Sequence, residues 1–385
     1  MEIDDKTSHN SPSLRFPEFT GEWEKCKLGT LATKVGSGST PKGGDAVYTS
    51  IGHYFVRSQN VGMGFLMLDN IAHINDDIHQ KHKATEIYEN DVLLNITGAS
   101  IGRTAVATKE LEGGNVNQHV CIIRTNSKVN PKFLCDYIQT QRIQNHIKSL
   151  QTGGSREGLN FEQIRSFPIS LPSINEQNKL TCLLDKINER IATQVRLIDR
   201  LQSLMKGIRH RIINEAKGKI VCLCEVSDIY QPQTISSADL TETGYPVYGA
   251  NGIIGHYTSY NHEAEQVCIT CRGNTCGGVN YTKSKSWITG NAMVVNVDRY
   301  QNIVSKRYLY HYLSNCDFNS IISGSGQPQI VRAPLAKFKI ILPTVMQQYK
   351  IAHCLDVIQN KINVNSNILN LLIRQKQYLL RKMFI

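Results

Sequence analysis

The side chains with readable chemistry sit in glycine-punctuated loops. VRSQNVGMG at 56–64 carries Arg57, Ser58, Gln59 and Asn60, and Arg103 follows GASIG. NVNQHV contributes Asn117 and Gln118, and TGGSREGLN at 152–160 contributes Arg156. In the second half, YGANGIIG (248–255) offers Asn251, CRGNTCGG (271–278) offers Arg272 and Asn274, YTKSKSW offers Lys283, and GSGQPQI (324–330) offers Gln327 and Gln329. Arginine forks match guanine edges in the major groove and Asn or Gln forks match adenine, so these types point to base reading. Interleaved Tyr, Trp287 and Lys residues suit phosphate and shape contacts. The same polar types also cap turns, which is the plainer role for any one of them.

Motifs for catalysis are not found. There is no GxxxxGK[ST], GASIG does not open a helix as GxGxxG would, and no NPPY-type methyl-transfer motif or Pro-Asp-led carboxylate cluster occurs. His119 in NQHV reads as structural, and Glu215-x-Lys217 as a solvated face. The 11 cysteines are scattered, as free thiols in a reducing compartment would be. Cys268, Cys271 and Cys276, with Cys222 and Cys224 upstream, invite a metal reading. However, EQVCITC reads as a strand, where residues three apart face opposite sides, and this favours buried thiols.

Charge supports a polyanionic partner: 43 Lys and Arg stand against 32 Asp and Glu. The polar opening MEIDDKTSHNSPS lacks a secretory layout and no apolar run approaches the ~18 residues of a membrane span, so a cytoplasmic protein is expected.

These loops need positioning elements, and the sequence shows them twice. LPSINEQNKLTCLLDKI (171–187) returns as LPTVMQQYKIAHCLDVI (342–358). From Phe167 against Phe338 the copies share 10 identities in 25 positions without a gap, which points to duplication. Each copy has a proline ending an extended segment, then Ser173 or Thr344 as helix N-cap. Behind the cap runs a heptad seam of Leu184, Ile187, Ile191, Ile198 and Leu201 in the first copy. In the second it is Leu355, Ile358, Ile362, Leu369 and Leu372. Gln194 and Asn365 form a matching polar rung, and Lys376 stands where the first copy has Met205. A seam this long must pair, and the chain supplies both partners. Connectivity makes the pair antiparallel, with a globular domain toward either end.

The expected class is therefore α+β: two mixed α/β domains separated by two long helices packed as an antiparallel coiled coil with pseudo-two-fold symmetry. The expected segments are an N-terminal extension (1–22), a first domain (23–172), a first helix (173–217), a second domain (218–343) and a second helix (344–385). Within the domains, PKFLCDYIQTQRIQNHI and SKRYLYHYLSN each read as one amphipathic helix.

The doubled LP-xxx-[EQ]Q-xK[IL] element, PSLRFPEFTGEWEKCKLG at 12–29 and VRSQNVG at 56–62 resemble the specificity subunit of type I restriction-modification enzymes over nearly the whole chain. The resemblance implies two target recognition domains, each reading one half of a bipartite, asymmetric site in double-stranded DNA. It further implies docking of two methyltransferase subunits and of restriction/translocase subunits. S-adenosylmethionine, ATP and Mg would be on those partners, with no cofactor or metal in this chain and no membrane association. A stand-alone DNA-binding regulator and a coiled-coil structural adaptor are the alternatives.

Overall fold

The computed structural model describes residues 10–151, 158–324 and 326–385. By its contacts the chain divides into Met1–Thr193 with Leu369–Ile385, and Gln194–Ile368.

The first unit opens with β1 (Glu24–Lys27), α1 (Leu28–Leu31), β2 (Ala32–Ser37), β3 (His53–Val56) and β4 (Ala72–Ile74). It continues through α2 (Asp76–Lys81), β5 (Val92–Asn95), β6 (Thr104–Val106), β7 (Asn115–Val116) and β8 (Val120–Thr125). Then come α3 (Pro131–Gln139), α4 (Gln141–Gln151), α5 (Phe161–Arg165), β9 (Pro168–Leu171) and the long helix α6 (Ile174–Glu215), which passes into the second unit at Gln194. Its sheets are ordered β2-β8-β5-β6, β4-β3-β7 and β1-β9. β5, VLLN, is buried on both faces, as an unbroken apolar run in a central strand demands. Val92 and Leu94 face a core with Phe133, Tyr137 and Ile143, while Leu93 faces a core with Val56 and Val116. The four-stranded sheet is thus the middle layer between α3–α4 and the three-stranded sheet.

The second unit repeats this plan. Its elements are β10 (Lys219–Cys222), α7 (Leu223–Val226), β11 (Asp228–Tyr230), β12 (Tyr245–Gly249), β13 (Gly252–Tyr257) and β14 (Val267–Thr270). They continue as β15 (Val279–Tyr281), β16 (Trp287–Ile288), β17 (Ala292–Asn296), α8 (Lys306–Leu313), β18 (Ile322–Ser323) and β19 (Gln329–Ile330). The unit closes with α9 (Arg332–Ala336), β20 (Lys339–Leu342) and α10 (Val345–Met383), whose last turns belong to the first unit. Sheet orders β11-β17-β14-β15, β13-β12-β16 and β10-β20 match the first unit strand for strand. The second unit has no counterpart of α4 among its described residues and adds the β18–β19 hairpin.

The repeated helix starts have one structural reason. Gln177 and Gln348 are fully buried, and each bridges three backbone groups. Gln177 Oε1 accepts from Asn130 N at 2.8 Å, and its Nε2 donates to Lys128 O and Pro172 O. Gln348 does the same with Ser305 N at 2.8 Å, Ile303 O and Pro343 O. Each glutamine therefore ties the start of a long helix to the N-cap of α3 or α8, satisfying groups that burial would leave unpaired. Ser173 and Thr344 cap as expected: Ser173 Oγ accepts from Glu176 N at 3.3 Å and Thr344 Oγ1 from Gln347 N at 3.4 Å.

The seam residues are buried or half-buried throughout. In the second unit Met205, Leu201 and Ile208 pack with Leu355, Ile358 and Ile362, while Gln194 Nε2 donates to Asn365 Oδ1 at 2.6 Å and Asn365 O at 3.0 Å. In the first unit Leu180 and Leu184 share a core with Leu379, Leu380 and Met383. As α6 advances its partners on α10 recede, so the helices are antiparallel, and the rung positions of the two copies meet each other. A polar pair of this kind fixes register.

One expectation needs correcting. PKFLCDYIQTQRIQNHI is not a single helix: Thr140 turns extended (φ −61°, ψ 146°) and separates α3 from α4. The buried residues show why. Ile138 is followed by Ile143, a step of five that breaks the three-four rhythm of one helical face.

Candidate nucleic-acid interface

Parallel pairing places the candidate loops together. β3 pairs parallel with β7, so the segments after Val56 and Val116 leave the same edge of the domain. Asn117 N donates to Val56 O at 3.0 Å, which locks the two loops side by side. The 57–60 turn is held from beneath: Asn60 Oδ1 accepts from Arg57 N at 3.0 Å, Asn60 Nδ2 donates to Met67 O at 2.9 Å, and Asn95 Nδ2 donates to Ser58 O at 2.8 Å. Asn60 and Asn117 are buried and bonded internally, with Asn117 Oδ1 accepting from His119 N at 3.0 Å. The side chains left at the surface are Gln59, Gln118 and Arg103, exposed, with Arg57 and Ser58 half-exposed. Arg57 lies over the Tyr48 ring at 5.4 Å, and its Nε finds no acceptor among the described residues. Gln118 Oε1 accepts from Thr40 N at 3.2 Å, bringing the 38–40 segment to the same edge. Arg156 lies outside the described residues, although its neighbour Gly158 bridges Thr97 beside this group.

The second domain builds the same edge from β12 and β16. Cys271 N donates to Asn291 O, Gly273 N to Pro328 O and Ile330 N to Cys271 O, each at 3.0 Å. The result is a cleft of about 450 Å³ lined by Ala250, Arg272, Gly273, Asn291, Gln327 and Gln329. Arg272, Gln327 and Gln329 are exposed at its walls, and Asn251 and Asn274 are exposed in the turns that carry Ala250 and Gly273. Lys283 does not join them. It follows β15, whose Tyr281 pairs with Val267 at the start of β14, whereas Arg272 follows the end of β14. Sequence reading passed over Asn291 as an individual residue; its place in TGNAMVVNV after a glycine was the available signal.

Among the described residues neither edge brings a nucleophile, base and carboxylate together. Thr97 Oγ1 meets His119 Nδ1 at 2.6 Å, but the other imidazole nitrogen faces the Gln118 amide at 3.3 Å, so no carboxylate backs the pair. Cys268 and Cys271 point into different cores, as the strand reading predicts. Among the described residues no three His, Cys, Asp or Glu side chains converge as a metal site, and no helix is long and apolar enough to cross a membrane.

Residues 20–203 and 216–374 match the family model for the type I restriction modification DNA specificity domain. The chain belongs to that family. Its two matched stretches each contain one of the loop edges above, so each edge belongs to a target recognition domain of a DNA-binding, restriction-modification specificity protein. The specificity subunit of the type I restriction enzyme EcoprrI from Escherichia coli is 26% identical over 291 residues, covering 70% of this chain and 71% of that protein. In fold the chain is similar to the type I restriction-modification S subunit from M. genitalium, with a TM-score of 0.67, 16% identity and 97% and 99% of the two chains covered. A chain from a structure of type I R-M complex assembly and conformational transition gives 0.55, 18% identity, and 94% and 97% coverage.

Proposed function

We propose that this specificity chain reads a bipartite, asymmetric DNA sequence, with the first target recognition domain taking one half and the second the other. The observation that carries the reading is a parallel strand pair that aims loops at one edge, built in both units on one topology, with different side chains at the surface. Basic charge draws in the duplex through phosphate contacts, which position without specifying. Gln59, Gln118 and Arg103 would then face one set of base edges, and Arg272, Gln327 and Gln329 the other, each good bidentate pair discriminating by about 1–3 kcal/mol. The paired helices set the gap between half-sites and dock two methyltransferase subunits. Restriction/translocase subunits complete the assembly. The chain itself does no chemistry: S-adenosylmethionine, ATP and Mg act on the partners.

Methylation mapping in a host carrying the chain and its methyltransferase partners tests this. Replacing Arg272, Gln327 and Gln329 by Ala is expected to relax one half-site and leave the other intact. Equal relaxation of both halves, or a continuous methylated motif without a gap, contradicts the reading. Sequence-specific binding by the purified chain at full affinity without methyltransferase favours a stand-alone regulator instead.

A further inference from the structure

The two copies of the long helix differ at one rung in a way that reaches a recognition loop. Lys376 of α10 occupies the position of Met205 in α6. In the first unit Lys376 Nζ donates to Gln139 Oε1 at 3.1 Å, and Gln139 Nε2 donates to Asp136 Oδ1 at 3.3 Å. Asp136 is buried in α3. This strut ends on a loop backbone: a Cβ built on Gly64 would stand 2.7 Å from Gln139 Oε1 and 3.2 Å from Lys376 Nζ. Gly64 has φ +86°, a backbone conformation that other residues rarely adopt, and donates to Thr104 O at 2.7 Å. Gly64 lies within the loop that begins with Arg57, Ser58 and Gln59, and Asn60 ties the two ends of that loop together through Met67.

The second unit has no such strut. The residues corresponding to Asp136, Gln139 and Lys376 are His311, Ser314 and Met205. His311 Nε2 instead pairs with Asp356 Oδ1 at 2.7 Å, Ser314 Oγ donates to Tyr310 O, and Met205 packs among aliphatic side chains.

We propose that Lys376 is a positioning residue which, through Gln139, seats the 57–68 loop on the end of α10 and so sets the base preference of the first recognition domain alone. The proposal rests on the DNA-reading function above. The charged and titratable groups around the strut are Lys376 on α10, Asp136, Lys132 and Cys135 on α3, and Asp185 on α6. Burial raises the Asp136 carboxyl to about 7, and the charge on Lys376 opposes that shift.

Hydrogen exchange of the full chain and methylation mapping with its partners test the proposal together. Lys376→Met keeps a side chain that the other copy already buries at this rung. It is expected to speed exchange at Gly64 and Met67 about tenfold while leaving 250–252 and 271–278 unchanged. Lys376→Arg should restore much of the protection. In methylation, Lys376→Met should relax the first half-site about tenfold and spare the second. Unchanged loop exchange, or equal relaxation of both half-sites, overturns the proposal. A wild-type chain without any base preference removes the DNA reading, and the loop's role in specificity falls with it even where exchange responds. A wild type that discriminates while Lys376→Met leaves the first half-site intact removes the strut alone.

Discussion

The first and second domains share a strand order, a parallel pair that aims the loops, and a buried glutamine that ties each to its long helix. They differ in what fills equivalent places. At matching positions on α3 and α8 stand Asp136 and His311, both buried, with opposite responses to pH. At the loop edge the first domain spends Asn60 and Asn117 on its own backbone, whereas the second opens a cleft around Arg272. The shared strand order and the clamping glutamines were kept, while divergence lies in α4, in the β18–β19 hairpin and in side chains such as those at the loop edges. That division is what the proposed reading of two unlike half-sequences needs.

The largest effect that would sharpen the contrast is pH-dependent stability. Burial, opposed by Lys376, raises Asp136 to about 7, so its folded value exceeds its unfolded one. Stability is then full below about pH 4 and falls as pH rises through 7, by on the order of 4 kcal/mol. Burial lowers His311 to about 4 against the pull of Asp356, so the second unit keeps that contribution above about pH 6.5 and loses it as pH falls toward 4. Hydrogen exchange resolved by unit between pH 4.5 and 8 should show the two trends running oppositely. Asp136→Asn should flatten the first, and parallel trends would break the comparison.

Next in size are the shared clamps. Gln177→Ala and Gln348→Ala each orphan a buried backbone N–H and two carbonyls, and each should cost about 3 kcal/mol in its own unit, measured by denaturant unfolding. A loss below about 1 kcal/mol in either would mean that the repeated glutamine is not what joins helix to domain. Smaller again is Arg272→Ala, expected to lose about 1–3 kcal/mol of discrimination in one half-site only, read by competition binding of the assembled methyltransferase. Smallest is the Gln194–Asn365 rung. Replacing both by Leu should leave unfolding within about 1 kcal/mol of wild type while loosening register, visible as a broadened distribution of methylated gaps.

Much of the scaffold was legible because its signals are periodic or repeated. The seam from Leu184 to Leu201 and from Leu355 to Leu372 follows from spacing alone, and the 171-residue offset of the LP element announces two equivalent units. The recognition edge was legible only as a set of loops. Which members face outward depends on backbone partners distant in sequence, so Asn60, Asn117 and Lys283 look like Gln59, Gln118 and Arg272 in one dimension. The break at Thr140 was present as a five-residue step but was masked by flanking residues that all favour helix. The Asp136–Gln139–Lys376 strut joins residues more than 200 positions apart; only its outer sign, a lysine in an apolar rung, could be seen.

The claim that most depends on the whole assembly is that the paired helices set the distance between two reading domains. Inserting seven residues, about 10 Å, into both α6 and α10 in register, and mapping methylated motifs in the host, tests it directly. Both half-sequences should persist with the gap between them longer by about three base pairs at 3.4 Å each. Both half-sequences recovered at the original gap would contradict it.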